Sequence, residues 1–365
     1  MQESRLRNHI PLSAPATREP CTGDEADLRV SLGFVPRWYH ERLDIDFSRQ
    51  WHTDPVYRYE SLVRMKTYLH EIFPTVSYFT PNYNKDNIEP ACATISGVHG
   101  IKLIPMVYGL ETQYFNDNWP DNLAGQVLSK EHLANLEPID VAKTPVIVQL
   151  LEQMDIIEKT YGQIQGYLNY QGILNIAVKL RGTEIFMDIY DDPEFAHYLF
   201  NHIANTILQV SKLVQARQRK SGFEVNLLSM SNCVMNMVSA DTYREFVLPY
   251  DLMLSKEFER FGVHTCNWNI TPYIDVLRSI DKMGYIDMGM VSDMKRVRDV
   301  FPDARRAVMY PPVELEQKTM DEIKADIQKI FDDLAPCDII MADITDTTPD
   351  ERVREFLEVA DSFNK

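Results

Sequence analysis

The chain of 365 residues carries 37 basic and 54 acidic side chains, a formal net charge of −17, with 45% hydrophobic and 25% charged residues. These are globular values that supply a large core and exclude wholesale disorder. The charge argues against nucleic acid or an anionic membrane surface as the main partner, since both demand a positive face. No two of the 14 glycines are separated by a single residue, and neither G-x-x-x-x-G-K-[ST] nor G-x-S-x-G occurs. A dinucleotide fingerprint, a phosphate loop and a hydrolase elbow are therefore all missing.

Residues 1–28 are polar and proline-bearing, with charges where a signal peptide needs its apolar block, and read as a flexible N-terminal arm. Such an arm is long enough to reach a second copy in a homo-oligomer. No apolar run approaches the ~18 residues of a membrane span. The five cysteines are odd in number and widely spaced, in a chain too large to need staples. Reduced thiols in a cytoplasmic protein are expected.

Eight apolar runs read as strands: Ser31–Val35, Thr75–Phe79, Ile164–Tyr170, Glu224–Ser229, Gly262–Cys266, Tyr285–Met288, Ala307–Tyr310 and Asp338–Ala342. Helix starts fall between them. Asp192 precedes Pro193 ahead of a stripe through Phe195, Leu199, Ile203 and Ile207, and Thr319 and Glu322 have capping-box spacing before Ile323, Ile327 and Ile330. Strand–helix alternation implies parallel pairing by right-handed crossovers. Eight units predict an α/β protein, a single (β/α)8 TIM barrel over 29–365. The proline-bearing interval 104–146 lacks periodicity and is expected to decorate one barrel face.

The most informative segment is Phe261-Gly-Val-His-Thr-Cys-Asn-Trp-Asn269. His264 and Cys266 are two apart on a predicted strand, so their side chains point the same way, at the C-terminal end where barrel active sites lie. An imidazole and a thiolate there form a half-site for zinc. Read without context, the same pair is a packed histidine beside a structural thiol. A metal needs a third ligand from another strand end. Asp343, closing the last strand, is the expected one, with Cys233 after the fourth run as the alternative. Cys337 lies six residues before Asp343, about 20 Å away at the opposite end of the strand, and reads as structural. Other strand-end residues are candidates for lining a pocket: Arg37, Trp38, Tyr170, Asn232, Trp268, Met290 and Tyr310, with Asp287 and Asp293 near the sixth run. No residue identifies itself as the catalytic acid or base.

Gly172–Gly182, continuing through Glu184–Pro193, resembles the middle of the uroporphyrinogen decarboxylase superfamily, as do Ser239–Tyr250 and Thr347–Val353. The resemblance spans roughly residues 30–363, most specifically from 160 onward, and implies one (β/α)8 barrel with its site at the C-terminal mouth. True decarboxylases of the superfamily carry an arginine-rich motif where this chain has Pro36–Leu43. They also carry an essential aspartate where this chain has Tyr78-Phe-Thr-Pro-Asn82, which holds no carboxylate. Porphyrinogen decarboxylation is not expected. The corrinoid-linked methyltransferase branch, which includes methylcobalamin:coenzyme M enzymes, carries zinc on an H-x-C pair plus a later cysteine near the last strand. His264 and Cys266 match the pair, while Asp343 occupies the region of the later cysteine.

The resemblance implies a zinc-dependent transfer of methyl between a small-molecule donor or acceptor and a cobalt corrinoid such as methylcobalamin, held by a separate carrier protein. Two rivals stand beside it. One is a metal-free lyase or decarboxylase of a small carboxylic acid, with Arg37 or Arg42 as anion clamp. The other is a non-catalytic ligand-binding barrel whose mouth is filled by Trp38, Trp268 and Met290.

Overall fold

The computed structural model describes residues 26–76, 94–225 and 227–364. Its strands in chain order are β1 (Leu28–Phe34), β2 (Thr112–Gln113), β3 (Asp121–Asn122), β4 (Tyr170–Gln171), β5 (Leu227–Ser231), β6 (Arg260–His264), β7 (Met283–Gly289), β8 (Arg305–Met309) and β9 (Cys337–Ile344). All but β2 and β3 form one parallel sheet ordered β1-β9-β8-β7-β6-β5-β4. From β4 to β9 each strand pairs with the next in the chain, and the first strand returns onto the last. This is the winding of an α/β barrel, in which helices carry the chain between parallel neighbours. On the far side of β4, Thr94 makes a parallel bridge to Gln165, adding an eighth position to the wall.

Every residue of β5 and of β7 is buried, so even their polar residues Ser229, Ser231 and Asp287 sit inside the wall. The helices seal the outer face. Asp192 accepts the Phe195 amide at 3.2 Å to start the helix Pro193–Lys220. Thr319 and Glu322 form the expected capping box, ahead of fully buried Ile323, Ile327 and Ile330. Burial of each such isoleucine contributes about 1.5–3 kcal/mol. At the N-terminal end of the barrel, buried Asp338 is held by Arg305 at 2.5 and 2.7 Å and by Arg29 at 3.0 Å, beside buried Cys337. Charges closed on one another there serve the scaffold.

Four of the expected runs come out differently. Gly262–Cys266 is shifted, the strand occupying Arg260–His264 and ending before Cys266. Glu224–Ser229 is shifted, the strand occupying Leu227–Ser231. Ile164–Tyr170 keeps ladder pairing only at its end, in β4, and at the Gln165 bridge. Between them Gly166 stands at φ +102°, where an added Cβ would lie 1.8 Å from Thr94 Oγ1, and Ser96 Oγ accepts the Tyr167 amide. Side-chain hydrogen bonds replace the ladder at that tight crossing. Of Thr75–Phe79, Thr75 and Val76 are not strand, and 77–79 lie outside the described residues.

The expected arm also lies outside them as far as residue 25. The interval 104–146 contains a short helix (Leu103–Val107), the β2–β3 hairpin and a second short helix (Lys130–Ala134). Among the described residues no helix is long and apolar enough to cross a membrane.

Candidate metal centre

Strands β5 and β6 run in register from Leu227↔Arg260 to Ser231↔His264, so their C-terminal ends are level. Two residues beyond that last pair, past both strand ends, stand Cys233, which opens a short 3-10 helix to Met237, and Cys266. The Asn232 amide donates to the His264 carbonyl at 2.7 Å, carrying the pairing past the strand ends. Cys266 then turns sharply at φ +59°, a conformation that a non-glycine residue keeps only where its surroundings enforce it. Gly289 makes room for that turn. A Cβ there would fall 1.9 Å from the Asn267 carbonyl oxygen, and the Gly289 amide donates to the Trp268 carbonyl at 2.9 Å.

The result is a cluster of three half-buried donors. Cys266 Sγ lies 2.7 Å from Cys233 Sγ and 3.2 Å from His264 Nε2, and the three ligand atoms all lie within 4.8 Å of one another. His264 Nδ1 meets the carboxylate of Asp287 at 2.5 Å. Asp287 is fully buried and also accepts from the Thr265 amide at 2.6 Å and the Tyr285 hydroxyl at 2.8 Å. An ionised carboxylate can only accept, so it fixes the proton on Nδ1 and leaves Nε2 toward the thiols.

Burial works against charge on His264, yet Asp287 outweighs it and lifts the imidazole to about 10. The hydrogen bond with Cys233, and then burial, push the Cys266 thiol up against the pull of His264. A bound metal would take the place of these protons.

The loop carrying Cys233 is pinned from four elements. The Val234 amide donates to Asn175 Oδ1 at 3.1 Å, and the Tyr273 hydroxyl donates to the Met235 carbonyl at 3.0 Å. Asn232 Nδ2 donates to the Tyr243 hydroxyl at 3.2 Å, and Tyr243 in turn donates to Asp251. Asp251 is fully buried, and burial raises its carboxyl from 3.8 to about 7. Asn232 is thus 4% exposed and engaged below the site, where it positions Cys233.

Asp343, the expected third ligand, is not part of the cluster. In the wall β9 is three strands removed from β6, whereas β5, which brings Cys233, is its direct neighbour. The Asp343 side chain instead lies near Trp119. Partial desolvation raises its carboxyl pKa, and both Trp119 and the charge of His264 oppose that rise. Trp119, from the irregular interval, has no sequence signal that marks it.

Several other expected pocket residues lie elsewhere. Trp38 is fully buried against Phe34 at 4.3 Å, with the Arg42 guanidinium over its ring, because a helix starts at Pro36 and turns it into the core. Tyr310 donates to Asp326 at 2.8 Å and packs on Phe356, so it faces the helix layer. Tyr170 is buried beside Tyr167. Arg37 is paired with Asp117 at 3.0 Å and Arg42 with Asp350 at 3.3 Å, so neither is a free anion clamp.

The mouth is apolar at its rim. Met237, Trp268, Val291 and Val313 are 64%, 45%, 74% and 48% exposed, one on each of the segments following β5, β6, β7 and β8. Met290, half-buried, adjoins Val291.

No protein-family model and no curated protein sequence matches the chain. The solved structure of a methyltransferase from Methanosarcina mazei aligns with a TM-score of 0.66 at 14% identity, over 94% of this chain and 95% of that one. At that identity the likeness establishes the fold, and it is the barrel that the superfamily resemblance implied. A protein of Listeria monocytogenes designated a vitamin-B12-independent methionine synthase aligns at a TM-score of 0.42 and 11% identity, covering 84% and 87% of the two chains. That second likeness is too low to carry an argument.

Proposed function

We propose that the chain is a zinc-dependent methyltransferase, moving a methyl group between a small substrate at the barrel mouth and a cobalt corrinoid presented by a carrier protein. The observation that carries this reading is the convergence of Cys233, His264 and Cys266 at the C-terminal ends of adjacent strands. Two sulfurs and one imidazole nitrogen whose partner nitrogen is held by a carboxylate are the donor chemistry of a three-ligand zinc site. Tetrahedral zinc holds such donors about 3.5–3.8 Å apart. The two sulfurs, at 2.7 Å, would open by about 1 Å, within reach of side-chain rotation.

Zinc held there keeps one open position, where it acidifies a coordinated thiol or polarises an ether oxygen. The chain's own residues supply the rest. Asp287 keeps the His264 Nδ1 proton and directs Nε2 into the site. Asn232, Asn175 and Tyr273 hold Cys233 in place. Asp343 offers a carboxylate within electrostatic reach of His264. The apolar rim of Met237, Trp268, Val291 and Val313 suits a broad macrocycle and its carrier better than a small polar metabolite alone.

Purified protein supplemented with zinc and mixed with methylcobalamin and a thiol acceptor tests the proposal. Spectral conversion of methylcobalamin together with methylated thiol is expected. Stoichiometric zinc in the wild type, lost in H264A, C266A and C233A and retained in D343A, is expected alongside. A wild type without affinity for zinc, or a zinc content indifferent to the three ligand substitutions, overturns the metal centre. A loaded protein that leaves every tested methyl donor and acceptor unchanged overturns the reaction.

A further inference from the structure

Cys233 and Cys266 have a second chemistry open to them. Each cysteine lies two residues past the last ladder pair, Ser231↔His264, where Cys233 opens a 3-10 turn and Cys266 stands at φ +59°. The two Sγ atoms lie 2.7 Å apart, so a disulfide of about 2.05 Å needs only a small further approach of the side chains. The hydrogen bonds from the Asn232 amide to the His264 carbonyl and from the Val234 amide to Asn175 fix the chain on both sides of Cys233. Both are unbridged thiols and half-buried, whereas Cys337 is shut in the core.

We propose that Cys233 and Cys266 are an oxidative modification site, converted by a hydroperoxide to an intramolecular disulfide when no metal holds them. One sulfur attacks the peroxide oxygen, breaking the O–O bond and giving a sulfenic acid and an alcohol, or water when the oxidant is hydrogen peroxide. The second sulfur then displaces the sulfenic oxygen, forming the S–S bond and releasing water. The two thiols together lose two electrons and two protons, and the peroxide is reduced. The disulfide withdraws both sulfur donors from His264, so oxidation and metal occupancy exclude each other, and dithiothreitol reverses the change.

Protein stripped with a chelator and treated with one equivalent of hydrogen peroxide is expected to lose two hydrogens by intact mass. Tryptic mapping is expected to yield the Cys233 peptide joined to the Cys266 peptide. Zinc added beforehand suppresses that cross-link. In C233S and C266S the surviving thiol is expected to stop at sulfenic acid, trapped with dimedone, with no loss of two hydrogens. Cysteines 233 and 266 recovered as alkylated thiols, as a dimedone-trapped sulfenic acid beside a free thiol, or joined to Cys21, Cys92 or Cys337 would overturn the proposal. The readout does not depend on methyl transfer. A cross-link in a protein that binds no zinc sinks the metal centre and leaves this site standing, and a protein active when zinc-loaded that forms no cross-link once stripped does the reverse.

Discussion

Replacing Asp287 by asparagine tests whether His264 is prepared as a ligand. Three donors converge on the carboxylate: His264 Nδ1, the Thr265 amide and the Tyr285 hydroxyl. An amide offers one oxygen and one NH2, so in either orientation its NH2 opposes a donor in a buried site. With the oxygen on Thr265, the NH2 faces His264, which must move its proton to Nε2, the nitrogen next to Cys266. The histidine then loses its lone pair toward the metal. Loss of an outer partner of this kind lowers metal affinity by about 10–100-fold, or about 1.4–2.7 kcal/mol. Zinc competition against a chromophoric chelator measures it, with circular dichroism confirming the fold. Affinity for D287N within twofold of wild type, with H264A abolishing binding, would refute the reasoning.

Two further outcomes follow from buried groups. Burial raises the Asp251 carboxyl from 3.8 to about 7, so the native state binds that proton more tightly than the unfolded chain. Its contribution is fully present below about pH 4 and is lost as pH rises to about 7, some 4 kcal/mol in all. D251N, neutral throughout, should therefore gain about that much on wild type between pH 4 and pH 8 in denaturant titrations. A difference that is constant with pH contradicts the assignment. G166A places a methyl 1.8 Å from Thr94 Oγ1 and 2.9 Å from the Ser96 backbone at positive φ, and should cost about 3 kcal/mol or more by the same assay. A loss below about 1 kcal/mol would mean that the Thr94–Gly166 crossing is loose.

His264 and Cys266 were legible as a pair two apart at a strand end, although the strand stops at His264 and it is the turn at Cys266, φ +59°, that brings the thiol to the imidazole. Cys233 was readable only as an alternative, since its place depends on the β5–β6 register, which is a long-range property. Asp343 was expected at the metal from its position on the last strand, but wall order favours the neighbouring strand over one three removed. Trp38 and Tyr310 failed as pocket residues for one reason. Alternation stops where the strand stops, and a turn or a helix start then sends the side chain to the helix layer. Trp119 sits in an interval without periodicity, so nothing local marked it. The partner of His264 was among the strand-end carboxylates, as Asp287, but its role needed the β6–β7 pairing to become visible.

Cys233, His264 and Cys266 are proposed to hold zinc with one position open. X-ray absorption at the zinc edge of the loaded protein measures this directly. Two sulfur ligands, one imidazole and one light exchangeable ligand are expected, with a third sulfur appearing when a thiol substrate such as 2-mercaptoethanesulfonate is added. A carboxylate ligand lost in D343N, or a sulfur count unmoved by the added thiol, would contradict it.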